Sequence, residues 1–82
     1  MTPEAIEDQL TPIFRRVFQA PDLALNRSLT AAEVARWDSL SHVEMIAAVE
    51  DAFGVRFKLK DVTKMKNVGD LIDTLHRYLN PA

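Results

Sequence analysis

Three stripes of apolar residues recur at helical spacing and leave this chain little choice but a helical bundle. The first is Ile6, Leu10, Ile13, Phe14, Val17 and Phe18; the second Val43, Met45, Ile46, Val49 and Phe53; the third Val68, Leu71, Ile72, Leu75 and Leu79. Residues three and four apart share one side of a helix turning about 100° per residue, so each set builds one sticky face. The only alternating stretch, Val55-Arg56-Phe57-Lys58-Leu59, has no second strand to pair with and reads as an extended connection. Cysteine is absent, so packing alone must hold the stripes together, without disulfides or thiolate metal sites.

The punctuation between the stripes sets the elements. Thr2 can cap the first helix and Pro3 suits its first position, where a missing N–H costs nothing. Pro12 removes the bond to the Asp8 carbonyl. Because the stripe stays in phase across it, a kinked but continuous helix to about residue 19 is expected, the alternative being a break with Thr11 capping a second helix. Ala20-Pro21-Asp22 ends this helix, and residues 20–37 form a long first loop with Leu23, Leu25 and Leu29 as anchors. Within it Thr30-Ala31-Ala32-Glu33 fits a capping box and predicts a short helical turn. A second helix starts at Asp38-Ser39 and ends at Gly54 in a left-handed cap. A short helix from Asp61 to about Met65 follows, then a last helix capped by Asn67, with Asp70 in its first turn and Asn80-Pro81 as its stop. The fold class is therefore all-α: a four-helix bundle with three longer helices and one short one, in a single domain spanning residues 1–82.

With 82 residues there is one small core and little room for an enzyme that must enclose a substrate. No apolar run approaches the roughly 18 to 20 residues of a membrane span. The N-terminus lacks a basic-then-apolar signal layout, so a cytoplasmic protein is expected. Charge is uneven. Residues 1–55 hold four arginines and no lysine against nine carboxylates, whereas residues 56–82 hold six cations against three aspartates. The acidic larger part argues against nucleic acid as the partner, since phosphate binding needs a concentrated basic face.

The candidate chemistry lies in Trp37-Asp38-Ser39-Leu40. In isolation Asp38 is a helix cap and Ser39 a first-turn polar residue. The surroundings add to it: Val43-Glu44-Met45-Ile46, then Phe53-Gly54-Val55, then Val68-Gly69-Asp70-Leu71. Together these landmarks resemble the acyl carrier protein family over nearly the whole chain. The resemblance implies that a phosphopantetheinyl transferase attaches 4'-phosphopantetheine from coenzyme A to the motif serine, Ser39. The arm's thiol then carries an acyl group as a thioester to partner enzymes. It further implies that Asp38, Leu40, Glu44, Glu50 and Asp51 meet those partners, among them an acyl- or aminoacyl-loading ligase or transferase and downstream synthases. Glu44 and Asp51 also face away from the apolar sector by periodicity alone. A carrier needs no catalytic residue of its own and no metal, and a monomer is expected.

Departures from the family's usual pattern sharpen the expectation. Arg56, Lys58, Lys60, Lys64 and Lys66 make the short-helix region basic, unlike the generally acidic fatty-acid carriers. A discrete aminoacyl or peptidyl carrier is the alternative within the class, although Arg36-Trp37-Asp38-Ser39-Leu40 differs from the Gly-Gly-x-Ser-Leu pattern of peptide-synthetase carriers. An unmodified helical interaction protein is the alternative outside it. His42 lies three residues after Ser39, close enough for a Ser–His pair. With no G-x-S-x-G turn and no third residue to orient it, it is read instead as packed beneath the long loop near Trp37. His76 suits a last-turn position by the helix dipole. Met45 and Met65 read as core filler.

Overall fold

The computed structural model describes residues 1–80. Helix α1 spans Pro3–Val17, α2 Ser39–Phe53, α3 Leu59–Lys64 and α4 Val68–Leu79, with a 3-10 turn at Ala31–Glu33 inside the long first loop. No strand occurs among the described residues; residues 55–58 run extended between α2 and α3. The short helix thus begins two residues earlier than its sequence signals suggested. Asp61 still falls in its first turn, where the helix dipole favours it.

Helix α1 is unbroken through Pro12. Pro12 is exposed, and Thr11 Oγ1 donates to the Glu7 carbonyl at 3.0 Å rather than capping a new helix. Thr2 accepts from the Ala5 N–H as the N-cap. The helix ends at Val17, two residues short of the expected point. There Gln19 turns left-handed with φ 51°, and its N–H and that of Ala20 return to the Arg16 and Arg15 carbonyls. This paired closure satisfies the last carbonyls of the helix. At the other end of the chain Asn80 closes α4, with its N–H on the His76 carbonyl. The expected role of Pro81 lies outside the described residues.

One core joins the helices. Ile6, Leu10, Ile13, Phe14 and Phe18 of the first segment meet Met45, Ile46 and Val49 of α2 and Val68, Leu71, Ile72 and Leu75 of α4. Met45 and Met65 are both buried in it, as core filler should be. Val43 departs from expectation: it is 64% exposed. It sits just beyond the Ile46 edge of the buried sector, and α2 leans chiefly on α1, so nothing covers it.

The long loop is packed down at both ends. Leu29, Val34 and Trp37 are buried, and Leu23 and Leu25 are partly so. The Glu33 carboxylate reaches back to the Thr30 N–H at 2.8 Å and braces the 3-10 turn. The loop also caps α4. The Val68 and Gly69 N–H groups, which have no partner inside their own helix, donate to the Leu29 and Arg27 carbonyls at 3.0 and 2.9 Å. Asn67 Oδ1 supplies a third acceptor, to the Asp70 N–H at 2.8 Å.

This close approach explains Gly69. A Cβ there would stand 2.9 Å from the Arg27 carbonyl oxygen, which is backbone and cannot rotate away. Gly69→Ala is expected to cost about 1–3 kcal/mol of stability, the usual range for overpacking. Urea denaturation checks it; an unchanged midpoint would mean that the loop is not held against α4.

Candidate functional site

The start of α2 is built by three side chains with separate tasks. Asp38 is the N-cap, its carboxylate accepting from the Ser41 N–H at 2.9 Å. Ser41 Oγ in turn accepts from the Asp38 N–H at 2.8 Å and lies 2.6 Å from the Arg36 carbonyl, to which it donates. This reciprocal pair is a capping box with serine at the third position. The hydrogen bonds from Ser41, first from its backbone and then from its hydroxyl, hold the Asp38 carboxyl below the usual carboxylate range.

Two serines therefore stand two residues apart in opposite conditions. Ser41 is tied into the cap. Ser39 is exposed at the first helical position and takes no part in that network. Only Ser39 offers a hydroxyl to an outside reagent without dismantling the helix start. It also sits at the positive end of the helix dipole, where anions are favoured.

Behind Ser39 lies a shallow groove of about 440 Å³ lined by Ala31, Trp37, Asp38, Ser39 and His42. Its wall is aromatic. Trp37 is buried against Phe14 and Phe18, with ring centroids 5.5 and 5.2 Å apart. The His42 ring stacks on Trp37 at 6.0 Å, and the Trp37 indole N–H donates to His42 Nδ1 at 3.0 Å. The histidine thus packs beside Trp37 as its position suggested. An imidazole that accepts at Nδ1 carries its proton on Nε2 when neutral. Burial pushes His42 below the ordinary histidine range.

The remaining site residues from the sequence fall on one helix but not in one condition. Leu40, Val43, Glu44, Ala47 and Asp51 are all exposed and share the side of α2 opposite Met45 and Val49. Leu40 is 70% exposed. Glu50 is half-buried instead, its carboxylate accepting from the Phe57 N–H at 2.8 Å and so holding the extended connection. The sequence reading placed Val43 in the core-facing stripe rather than on this exposed side. The available signal was its place three residues after Leu40, on the same flank of the helix.

A second groove, about 480 Å³, is lined by Lys58, Lys60, Asp61, Lys64, Arg77 and Tyr78. Arg77 donates to Asp61 at 3.0 Å and the Tyr78 hydroxyl donates to the same carboxylate, while the three lysines form no ion pair among the described residues. His76 lies in the last turn of α4, as its dipole preference suggested. No cluster of three metal-ligating side chains occurs among the described residues, and no described helix is long and apolar enough to cross a membrane.

These features define a small helical carrier with a serine displayed at a helix start. The family model for the phosphopantetheine attachment site matches residues 8–75, and the chain belongs to this family of acyl carrier proteins. It is 50% identical over 36 residues to an acyl carrier protein of Acidothermus cellulolyticus; the match covers 44% of this chain and 43% of that relative's length. Among solved structures it resembles the holo acyl carrier protein of Geobacter metallireducens, with TM-score 0.83 and 43% identity over 88% of this chain and 83% of that one. A putative acyl carrier protein of Mycobacterium tuberculosis shares the fold at TM-score 0.80, with 20% identity over 89% of this chain and 97% of that one. Membership of this family implies a covalently attached phosphopantetheine. An exposed serine beside unsatisfied helix N–H groups fits the phosphate end of that arm.

The Trp37–His42 pair carries a pH signature. The folded imidazole titrates below the unfolded one, so folding favours its neutral form. The stability it contributes is present above the ordinary histidine pKa of about 6.5 and is lost as pH falls through that value toward the lower folded one. The urea midpoint of the unmodified protein should therefore fall between about pH 7 and pH 5, and less so in His42→Gln. Equal slopes for the two proteins would contradict the role given to this pair.

Proposed function

We propose that Ser39 is the attachment point of the phosphopantetheine arm and that the protein carries an acyl group as a thioester on the arm's terminal thiol. The observation that carries this reading is the contrast between the free Ser39 hydroxyl and the fully engaged Ser41. A serine hydroxyl is a weak nucleophile without a base. The base belongs to the modifying transferase, so the chain need only keep the hydroxyl accessible and its helix start rigid. A tethered thiol raises the effective concentration of cargo at each enzyme visited.

Partner enzymes, the transferase and the loading ligase included, dock on the exposed side of α2. Leu40 and Val43 are its apolar anchors, and Glu44 and Asp51 supply steering charge. Asp38 and Glu50 lend charge to the same surface while their oxygens hold backbone N–H groups. The lysine-rich groove at α3 gives the other end of the molecule the opposite sign. It favours partners of a specialised acyl pathway over those of routine fatty-acid synthesis. The protein works as a monomer in the cytoplasm.

Incubation of the unmodified protein with coenzyme A and a broad-specificity transferase should add one phosphopantetheine by intact mass, and none to Ser39→Ala. An unchanged wild-type mass with several transferases would favour an unmodified interaction protein. Reversal of the α2 charges, in Glu44→Lys with Asp51→Lys, should lower the transferase kcat/KM by about tenfold at low salt. The gap should close as salt rises. A salt-independent loss would point to damage of the helix rather than lost steering.

A further inference from the structure

His42 is more elaborately held than a filler of the loop requires. Its ring is stacked on Trp37, its Nδ1 is occupied by the indole N–H, and it lines the same groove as Ser39. Helical side chains lean toward the N-terminus of their helix. The contact with Trp37, five residues earlier, shows that this one does so, over the first turn. Residues three apart on a helix are neighbours, so the imidazole and the Ser39 hydroxyl share one side of the helix start.

The other ring nitrogen is the informative one. Nε2 has no partner among the described residues, and no buried side-chain nitrogen or oxygen there lacks one. Nε2 therefore reaches solvent. With Nδ1 committed as an acceptor, the neutral ring presents a single N–H donor, Nε2–H, in an orientation fixed by the tryptophan. A donor of set direction and no internal use, next to a serine at a helix N-terminus, is suited to an anionic oxygen.

We infer that His42 is a second anchor for the arm: Nε2–H donates to a phosphodiester oxygen on Ser39, and Trp37 positions the ring for it. The inference rests on Ser39 being the attachment point. It makes His42 a positioning residue, with no part in bond making or breaking. The first-turn N–H groups that the Asp38 cap leaves open hold the phosphate from the helix end, and His42 holds it from the groove wall, so the arm leaves the protein in a restricted direction.

The electrostatics give the contact a signature. Among the described residues Asp38 is the only charged side chain lining the groove beside His42; the 3-10 turn contributes Ala31 and the segment before α2 contributes Trp37. In the unmodified protein burial holds the imidazole below its ordinary range. A phosphodiester anion within hydrogen-bond reach favours the charged ring and opposes that effect.

The test is an NMR titration of the His42 ring in unmodified and phosphopantetheine-bearing protein, with complete modification first verified by mass. The His42 pKa should rise by about half a unit or more on modification. The phosphorus resonance of the arm should titrate with the same apparent pKa and lose that step in His42→Phe. His42→Gln, which keeps an N–H donor, should restore a phosphorus shift close to wild type but without the pH step. Identical His42 titrations in the two forms, with the arm confirmed on Ser39, would overturn the anchor and leave the attachment reading intact. Failure to add the arm at all would overturn both.

Discussion

The structure depends most on the burial of Trp37. Its indole closes an aromatic cluster with Phe14 and Phe18 of the first segment and so fixes the end of an otherwise long first loop. Offset and edge-on aromatic contacts of this kind hold rings in defined positions beyond what area burial provides. Because Asp38 is the next residue, the tryptophan also fixes where α2 begins and which way its first N–H groups point. Ser39 is displayed by that start. The same ring, through its N–H, sets the orientation and the proton position of His42. Core packing and site geometry thus meet in one side chain, and the loop between α1 and α2 can be long without being loose.

A second consequence is a division of labour among residues of similar chemistry. Of two neighbouring serines, Ser41 is consumed by the capping box and Ser39 is left free. Of the acidic residues on α2, Asp38 and Glu50 hold backbone N–H groups while Glu44 and Asp51 face solvent. The helix is apolar on two sides, inward through Met45, Ile46 and Val49 and outward through Leu40 and Val43. An amphipathic helix serving only its core would keep the outward side polar. This second apolar side accords with a protein whose work is to be handled by others.

Much of this was legible in the residues. The three stripes, Thr2, Asn67 and Gly54 as helix ends, the turn at Thr30–Glu33 and the packing of His42 by Trp37 all followed from spacing and local chemistry. Four things were not legible, each for a physical reason. Val43 lies at the border of the apolar sector, and whether a border residue is covered depends on which neighbour α2 leans against. Glu50 looks like any surface carboxylate until the chain after Gly54 folds back and offers it the Phe57 N–H. The α1 stop at Gln19 uses a left-handed turn without glycine, so the strongest local marker of such a stop is missing. The free state of Ser39 and the bound state of Ser41 likewise depend on the Arg36 carbonyl, a backbone group that no motif records.

The chain contains three serines, Ser28, Ser39 and Ser41, and the arm is proposed to sit on Ser39 alone. The most direct measurement is fragmentation mass spectrometry of the holo protein to localise the phosphopantetheine to a single residue. The adduct is expected on Ser39, with Ser28 and Ser41 unmodified in the same molecules. An adduct on Ser41 or Ser28, or one divided among the three, would contradict that placement.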